Sequence, residues 1–276
     1  MLKRQDGQTS SPGGRRRLRK DRVAALARVF ASEDEKASYA RGMFGAIASR
    51  YDLTNTVISA GLHRRWKRHA VALARTSPGD RAADICCGTG DLLLLLARRV
   101  GPQGRAVGID FSEEMLRVAG YKMNAAGLGS SCRLVVGDAE RLALRHEMFD
   151  AVTVGFGLRN TAHPEAVLRE ILRVLRPGGR LVVLEFGRPR SHLIRRLYDL
   201  YSFTLMPWLG RLVSRHSDGY LYLPTSIRSW DDQQSFAAQM TRAGFGSVEC
   251  HNVLAGIAAV YVGVRPRPAA AEPTPV

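Results

Sequence analysis

Apolar positions along this chain change their spacing several times, and each change marks a different kind of element. Between residues 38 and 76, Ile47, Tyr51, Val57, Leu62 and Trp66 recur at helical spacing, which predicts helices with one apolar face. Short β-rich runs follow at residues 81–86, 106–110, 134–137, 151–154 and 180–186, and these read as five strands. Helical stretches separate them: residues 91–100, a helix capped by Ser112 with Glu113 and Glu114 in its first turn, and residues 164–175. Pro177-Gly178-Gly179 reads as a turn before the fifth strand. Near the end, residues 246–253 and 257–264 are two β-rich runs joined only by Leu254, Ala255 and Gly256, so they are expected to pair as an antiparallel hairpin.

Strands alternating with helices predict an α/β fold with a parallel sheet, right-handed crossovers and helices on both faces. Five parallel strands closed by a hairpin give a seven-stranded, mostly parallel sheet. Around it the chain divides into a basic arm over residues 1–37, a main domain over 38–264 and a Pro/Ala-rich tail over 265–276. Within the domain, residues 38–76 are expected to form a helical cover, and residues 188–230 a substrate-facing or membrane-facing insertion.

Composition narrows the class. With 45% hydrophobic and 24% charged residues among 276, the chain can bury a sizeable core, which excludes collagen-like and wholly disordered readings. The longest apolar run, residues 92–97, is far short of the roughly 18 to 20 residues that cross a bilayer. The basic start lacks an apolar core and a cleavage site, so a cytoplasmic protein is expected. Cys86, Cys87, Cys132 and Cys250 lack zinc-site spacing, and neither a metal nor a disulfide frame is expected. The net charge of +16 calls for an anionic partner, and residues 1–30 hold nine basic side chains against Asp6 and Asp21.

The candidate chemistry starts at Asp84-Ile85-Cys86-Cys87-Gly88-Thr89-Gly90-Asp91, which joins the first strand to its helix. Gly88 and Gly90 allow a tight turn and close ligand approach, and the helix N-terminus offers unpaired amides. A dinucleotide fingerprint would place its third glycine at position 93, which is Leu93, so pyrophosphate is disfavoured and an adenosyl ligand without phosphates fits better. Asp110, at the end of the second strand, is placed to accept both ribose hydroxyls. Asp138 and Ala139, after the third, can read an adenine edge.

Together these residues resemble class I methyltransferases that use S-adenosylmethionine. Two stretches are more specific: residues 51–59 (YDLTNTVIS, followed by His63 and Trp66) and residues 173–179 (RVLRPGG) resemble the signatures of the quinone-biosynthesis C-methyltransferases. Residues 155–160 (GFGLRN) and 184–186 (LEF) are similar to that family as well, and the likeness runs over about residues 39–264. It implies a Rossmann-like class I methyltransferase fold, S-adenosyl-L-methionine as cofactor, and cofactor contacts at Thr89, Asp110, Asp138 and Ala139, which Asp84, Gly88 and Gly90 of the loop are expected to join. Cys86-Cys87 departs from the small residues usual there, and Gly155 replaces a serine of some members.

The reaction implied is C-methylation of a prenylated hydroquinone, with demethylmenaquinol expected and a methoxybenzoquinol as the alternative. Arg159 is placed to stabilise a phenolate, Asn160 to position the substrate oxygen, and Tyr51 and His63 to cover the pocket, with His63 titrating in the range for proton transfer. A substrate with an isoprenoid tail resides in a membrane. Residues 188–215 offer an interface, with Leu193, Ile194, Leu197, Leu200, Tyr201, Leu205 and Trp208 as apolar surface and Arg188, Arg190, Arg195, Arg196, Arg211 and Arg215 as charge. The expected partners are thus the membrane-embedded quinol and the anionic inner face of the cell membrane, with no nucleic acid, and a homodimer is compatible with this reading. Rival readings are a methyltransferase for another lipid or small molecule, and a basic adaptor that keeps the fold without the chemistry.

Overall fold

The computed structural model describes residues 32–202 and 219–268. Residues 1–31 of the arm, 269–276 of the tail, and Leu205, Trp208, Arg211 and Arg215 lie outside the described residues. Seven strands form one sheet: β1 (Arg81–Ile85), β2 (Arg105–Asp110), β3 (Cys132–Val136), β4 (Phe149–Gly155), β5 (Leu175–Phe186), β6 (Val248–Val253) and β7 (Ala258–Val264). Their order is β3-β2-β1-β4-β5-β7-β6. The pairs among β1 to β5 are parallel, and β7 runs antiparallel to both β5 and β6. Successive strands run outward one way from β1 and the other way from β4, so the switch in order, where open α/β sheets bind ligands, falls between these two.

Apolar side chains bury both faces of the sheet. On one side Val152, Val154, Leu181 and Val183 pack with Val167, Leu168 and Ile171 of the helix Pro164–Val174. On the other, Ala82, Ala151, Val182 and Val260 meet Leu92 and Leu96 of the helix Asp91–Val100, together with Trp66 and Ala70. Strands buried on both faces carry near-continuous apolar runs, which is why they were visible in the sequence. Leu96 is fully buried, and its replacement by alanine is expected to cost about 2–5 kcal/mol.

The cover comprises α1 (Glu33–Ile47), a 3-10 turn (Ala48–Arg50), α2 (Tyr51–Ile58) and α3 (Leu62–Leu73). Its first helix starts five residues before the expected boundary at residue 38, because Ser32 caps it by accepting from the Glu35 amide at 3.1 Å. In α3 the buried residues His63, Trp66, Lys67, Ala70 and Val71 recur at three- and four-residue spacing. We number the helices Asp91–Val100, Glu113–Ala125, Pro164–Val174, His192–Leu200, Gly219–Ser229 and Gln233–Arg242 as α4 to α9.

Two turns differ from their sequence reading. Pro177-Gly178-Gly179 does not precede β5 but lies inside it: Leu175 already pairs with Phe149, and the register shifts before Ala151 meets Arg180. Gly178 adopts φ +82° there, and its amide donates to Arg265 O at 2.9 Å, so the turn is absorbed as an irregularity within the strand. The linker of the β6–β7 hairpin forms a 3-10 turn in which Leu254, Ala255 and Gly256 all take positive φ, +46°, +55° and +89°. Two of the three are not glycine, a local strain at the rim of the cavity described next.

Candidate active site

Strand ends at the switch point carry the polar half of the site. Cys86 and Phe156, which follow β1 and β4, both stand in the left-handed region at φ +55° and +57°, a strain that turns the chain sharply away from the sheet. Between them the loop Gly88–Gly90 leads into α4. Gly90 has φ +80°, and a Cβ there would meet Ala119 Cβ at 3.0 Å, so the loop needs glycine for both conformation and space. Asp110 is 6% exposed, its Oδ2 accepting from the Gly88 amide at 2.8 Å and its Oδ1 from the Ser112 amide at 3.0 Å. Burial raises its pKa, and those backbone donors oppose the rise.

Asp110, Phe111, Asp138 and Ala139 line a cleft of about 20 Å³, and Gly88, Asp110, Phe156 and Tyr51 line a second of about 50 Å³. Both are narrow because α1 lies over them: Arg41 pairs with Asp138 at 3.6 Å and stacks on Phe111 at 5.6 Å. The Arg41–Asp138 pair is half-exposed, so parting it costs little. Asp110, Asp138 and Glu140 put three carboxylates on one cleft and outnumber Arg41 there, which disfavours a phosphate and suits a ligand that bears hydroxyls and a positive sulfur. The donor set therefore fits an adenosyl sulfonium.

Asp84 stands apart from this cleft. It is 1% exposed behind the loop, where it accepts from Thr153 Oγ1 at 2.7 Å and from the Leu93 amide at 3.1 Å. Burial pushes its carboxyl up to about 7. Its place in the structure is that of a buried peg joining β1, β4 and α4, not of a group facing a ligand.

The apolar half is a cavity of about 570 Å³ between the cover, α7 and the β6–β7 linker. Met43, Ile47, Val57, Ile58, Ile194 and Ile257 supply much of its wall, and Phe156 and Phe186 stack beside it with centroids 4.7 Å apart. Tyr51 and Phe156 line both this cavity and the 50 Å³ cleft, so the two halves meet there. A cavity of this size and lining is typical of a small-molecule site.

Arg159 reaches the cavity from the 3-10 turn after β4 and is 4% exposed. Its Nη1 donates to Glu185 Oε1 at 2.8 Å and to Phe156 O at 2.6 Å, and its guanidinium lies over the Phe186 ring at 5.2 Å. Glu185 is fully buried at the end of β5, where burial raises its pKa and Arg159 opposes the rise. Among the described residues, Arg159 Nε and Glu185 Oε2 have no hydrogen-bond partner. Sequence reasoning named Arg159 but not its counter-ion, although Glu185 sits in one of the family-like stretches.

Asn160 points elsewhere. It lines the cofactor-side clefts, its Nδ2 donating to Phe156 O at 3.2 Å and its Oδ1 accepting from the Tyr222 hydroxyl at 3.0 Å, so it does not face the large cavity as its expected role requires. His63 does line the cavity, but burial and then Lys67 lower its pKa to about 4, and its Nδ1 lies 2.7 Å from Ser59 Oγ. That removes it from the neutral range in which proton transfer was expected. Sequence reasoning also missed Lys67, which is buried against the cavity and donates to Asp91 at 2.8 Å, and Asp52, which accepts from Thr89 Oγ1 at 2.6 Å.

Comparison with known proteins agrees with this geometry. Solved structures of similar fold include a methyltransferase of Thermotoga maritima described as a possible histamine N-methyltransferase (TM-score 0.57, 19% identity, covering 82% of this chain and 99% of that one). The [4+2]-cyclase SpnF is as similar in shape (TM-score 0.57, 17% identity, 84% and 97%). At such identities they show the fold alone. Two curated relatives called ubiquinone/menaquinone biosynthesis C-methyltransferase UbiE, from Ectopseudomonas mendocina and from Pseudomonas aeruginosa strain LESB58, are each 44% identical over 234 residues, 85% of this chain and 91% of theirs. Residues 31–265 match the ubiE/COQ5 methyltransferase family, and the chain belongs to that family, a class I methyltransferase whose cofactor is S-adenosyl-L-methionine.

Proposed function

We propose that the protein methylates a ring carbon of a prenylated hydroquinone in quinone biosynthesis, with demethylmenaquinol as its substrate and a methoxybenzoquinol as the alternative ring. The observation that carries this is an apolar cavity of about 570 Å³ that meets the cofactor cleft at Tyr51 and Phe156 and has a buried guanidinium on its wall. The relatives' names join both quinones, so the ring is the finer part of the proposal.

S-adenosyl-L-methionine, when bound, supplies an electrophilic methyl group on a sulfonium. The chain's task is to hold the ring carbon in line at about 3–3.5 Å and make it nucleophilic. Loss of the phenolic proton pushes electron density onto the adjacent carbon, and Arg159, always protonated, stabilises the resulting oxyanion. Glu185 holds the guanidinium in place and keeps the pair neutral until the oxyanion forms. The carbon–carbon bond would form as the sulfonium's bond to the methyl group breaks, with the thioether as leaving group; the phenolic proton passes to water before the transfer, the ring carbon gives its proton to water after it, and the oxygen regains one proton, so that one proton is released overall.

The rim of the cavity supports access from a lipid surface. Leu62, Leu197 and Leu254, from three separate segments, are each 39–58% exposed and also line the cavity. Leu193 and Leu200 of α7 continue the apolar surface at 66% and 58% exposure, beside exposed Arg195 and Arg196. An exposed apolar stripe edged with guanidinium groups suits the interface of an anionic membrane. No helix among the described residues is long and apolar enough to cross one.

Quinone analysis of cells lacking the gene tests the proposal. Accumulation of demethylmenaquinone, reversed by the intact gene, is expected; an unchanged quinone profile would overturn the function, and accumulation of a methoxybenzoquinone would move it to the other ring. Sedimentation with anionic vesicles at low salt tests the membrane reading, which fails if the protein stays in the supernatant.

A further inference from the structure

One tight turn in the helical cover decides which nitrogen of His63 carries the proton. Ala60 and Gly61 stand in the left-handed region at φ +48° and +77° and turn the chain from α2 into α3, which brings Ser59, the residue after α2, beside His63 in the first turn of α3. Ser59 Oγ lies 2.7 Å from Asn55 O and 2.7 Å from His63 Nδ1. A carbonyl oxygen can only accept, so the single hydroxyl proton goes to Asn55, and Ser59 Oγ accepts from His63. This network assigns the proton to Nδ1 and leaves a lone pair on Nε2. Burial, and then Lys67, bring the pKa down to about 4, so the ring is neutral over the working range.

The other nitrogen is uncommitted. Nε2 has no hydrogen-bond partner among the described residues, yet protein atoms do not seal it in. His63 is 5% exposed and lines the 570 Å³ cavity, so what is open of its ring faces that space. Arg159 and Lys67 line the same cavity and carry only donors. The cavity therefore sets a fixed acceptor, held in one tautomer, against cationic donors.

A hydroquinone ring and its oxidised form differ in just this respect. The hydroquinone has two hydroxyls, which both donate and accept; the quinone has two carbonyls, which only accept, and its electron-poor ring cannot attack a sulfonium. Arg159 can donate to an oxygen of either form. Nε2 cannot serve both, because a carbonyl would meet it lone pair against lone pair and leave two polar atoms unpaired. We propose that His63 accepts a hydrogen bond from the substrate hydroxyl that does not ionise and so selects the reduced ring over the oxidised one, with Ser59 as the positioning residue that fixes its tautomer. This selection rests on the cavity being the seat of the ring, as proposed above.

The two redox forms of one ring provide the test. 2,3-Dimethyl-1,4-naphthoquinone and its hydroquinone have no free position for a methyl group or a thiol between the carbonyls, and tetramethyl-1,4-benzoquinone with its hydroquinone covers the other ring. In anaerobic titrations of the full chain with S-adenosylhomocysteine present, the hydroquinone is expected to bind about 10- to 100-fold more tightly than the quinone. His63→Phe should bring the two within about threefold, mainly by weakening the hydroquinone, and Ser59→Ala, which frees the imidazole to present a proton to the cavity, should lower the preference by a smaller factor. Equal binding of both forms by the parent, or a preference that survives His63→Phe, would overturn the assignment of His63 alone; failure of all four ligands to bind would reject the cavity as the ring's seat and the assignment with it. Should His63→Phe fail to fold, the intact protein still decides. A long-range 1H–15N spectrum should show His63 protonated at Nδ1 only, with an Nε2 resonance that moves on adding hydroquinone more than on adding quinone; a proton on Nε2, or equal shifts, would reject the proposal.

Discussion

The two halves of the site solve the problem of holding a ligand in opposite ways. At the cofactor end, short polar side chains follow strand ends and are fixed by backbone amides: Asp110 by Gly88 and Ser112, Asp138 by Glu140. At the cavity end, long side chains from helices that are far apart in sequence converge, and a fully buried ion pair, Arg159–Glu185, provides fixed charge. The first half is rigid because the sheet is. The second depends on tertiary packing, and its specificity can change without disturbing the first.

Removing one partner of the buried pair should produce the largest separation between the halves. Arg159→Ala is expected to lower kcat by about 100-fold or more through lost oxyanion stabilisation, and to cost about 3–5 kcal/mol of stability by stranding Glu185. Calorimetry should find S-adenosylhomocysteine affinity within about threefold of the parent. A variant that retains turnover would remove Arg159 from the chemistry, and one that loses cofactor affinity to the same degree would show that the halves are not separable.

The reverse experiment is Asp110→Asn, which keeps the side-chain shape but halves the acceptor capacity toward ribose hydroxyls. Cofactor affinity should fall by about tenfold, the quinol KM at saturating cofactor should not move, and titration calorimetry with steady-state kinetics reads both. A smaller effect comes from charge without loss of contact. Glu185→Gln retains an acceptor for Arg159 and the Phe186 amide, so the fold should persist while the guanidinium loses its counter-charge. The expected readout is a shift of the acid limb of the pH–rate profile to lower pH, because an uncompensated cation lowers the pKa of the substrate phenol.

The smallest effect concerns His63. Its pKa is about 4 in the folded protein against 6.5 ordinarily, so between these values the unfolded chain binds the extra proton. Stability should rise with pH across that window and level off above it, and His63→Gln should flatten the slope measured by denaturant unfolding. The same depressed value predicts no limb near pH 6.5 in the rate profile that His63→Gln abolishes.

These differences explain what could be read in advance. Gly88, Gly90, Asp110 and Asp138 were legible because strand-to-helix turns have local signatures, and ligand contacts in this fold follow strand ends. Asp84 belongs to the same stretch, yet only the packing of Thr153 and Leu93 against it shows that it faces inward. Asn160 and Arg159 are sequence neighbours on a 3-10 turn, and one residue's rotation sends them to different clefts. His63 could be named as a cavity residue, but its pKa depends on burial and on Lys67, neither of which is a local property.

What the sequence determined by itself is the order of elements, the parallel core with its closing hairpin, and the polar end of the site, because periodicity, glycine placement and strand-end acids are set by neighbours within a few residues. What only the tertiary structure decided is the pairing of charges: Arg159 with Glu185 across 26 positions, Thr89 with Asp52 across 37, and Lys122 with Asp52 across 70. Those partners lie on elements whose separation along the chain says nothing about their distance in space. Burial then sets how strongly each pair holds, since a charge removed from water must find its counter-ion wherever the fold has brought it.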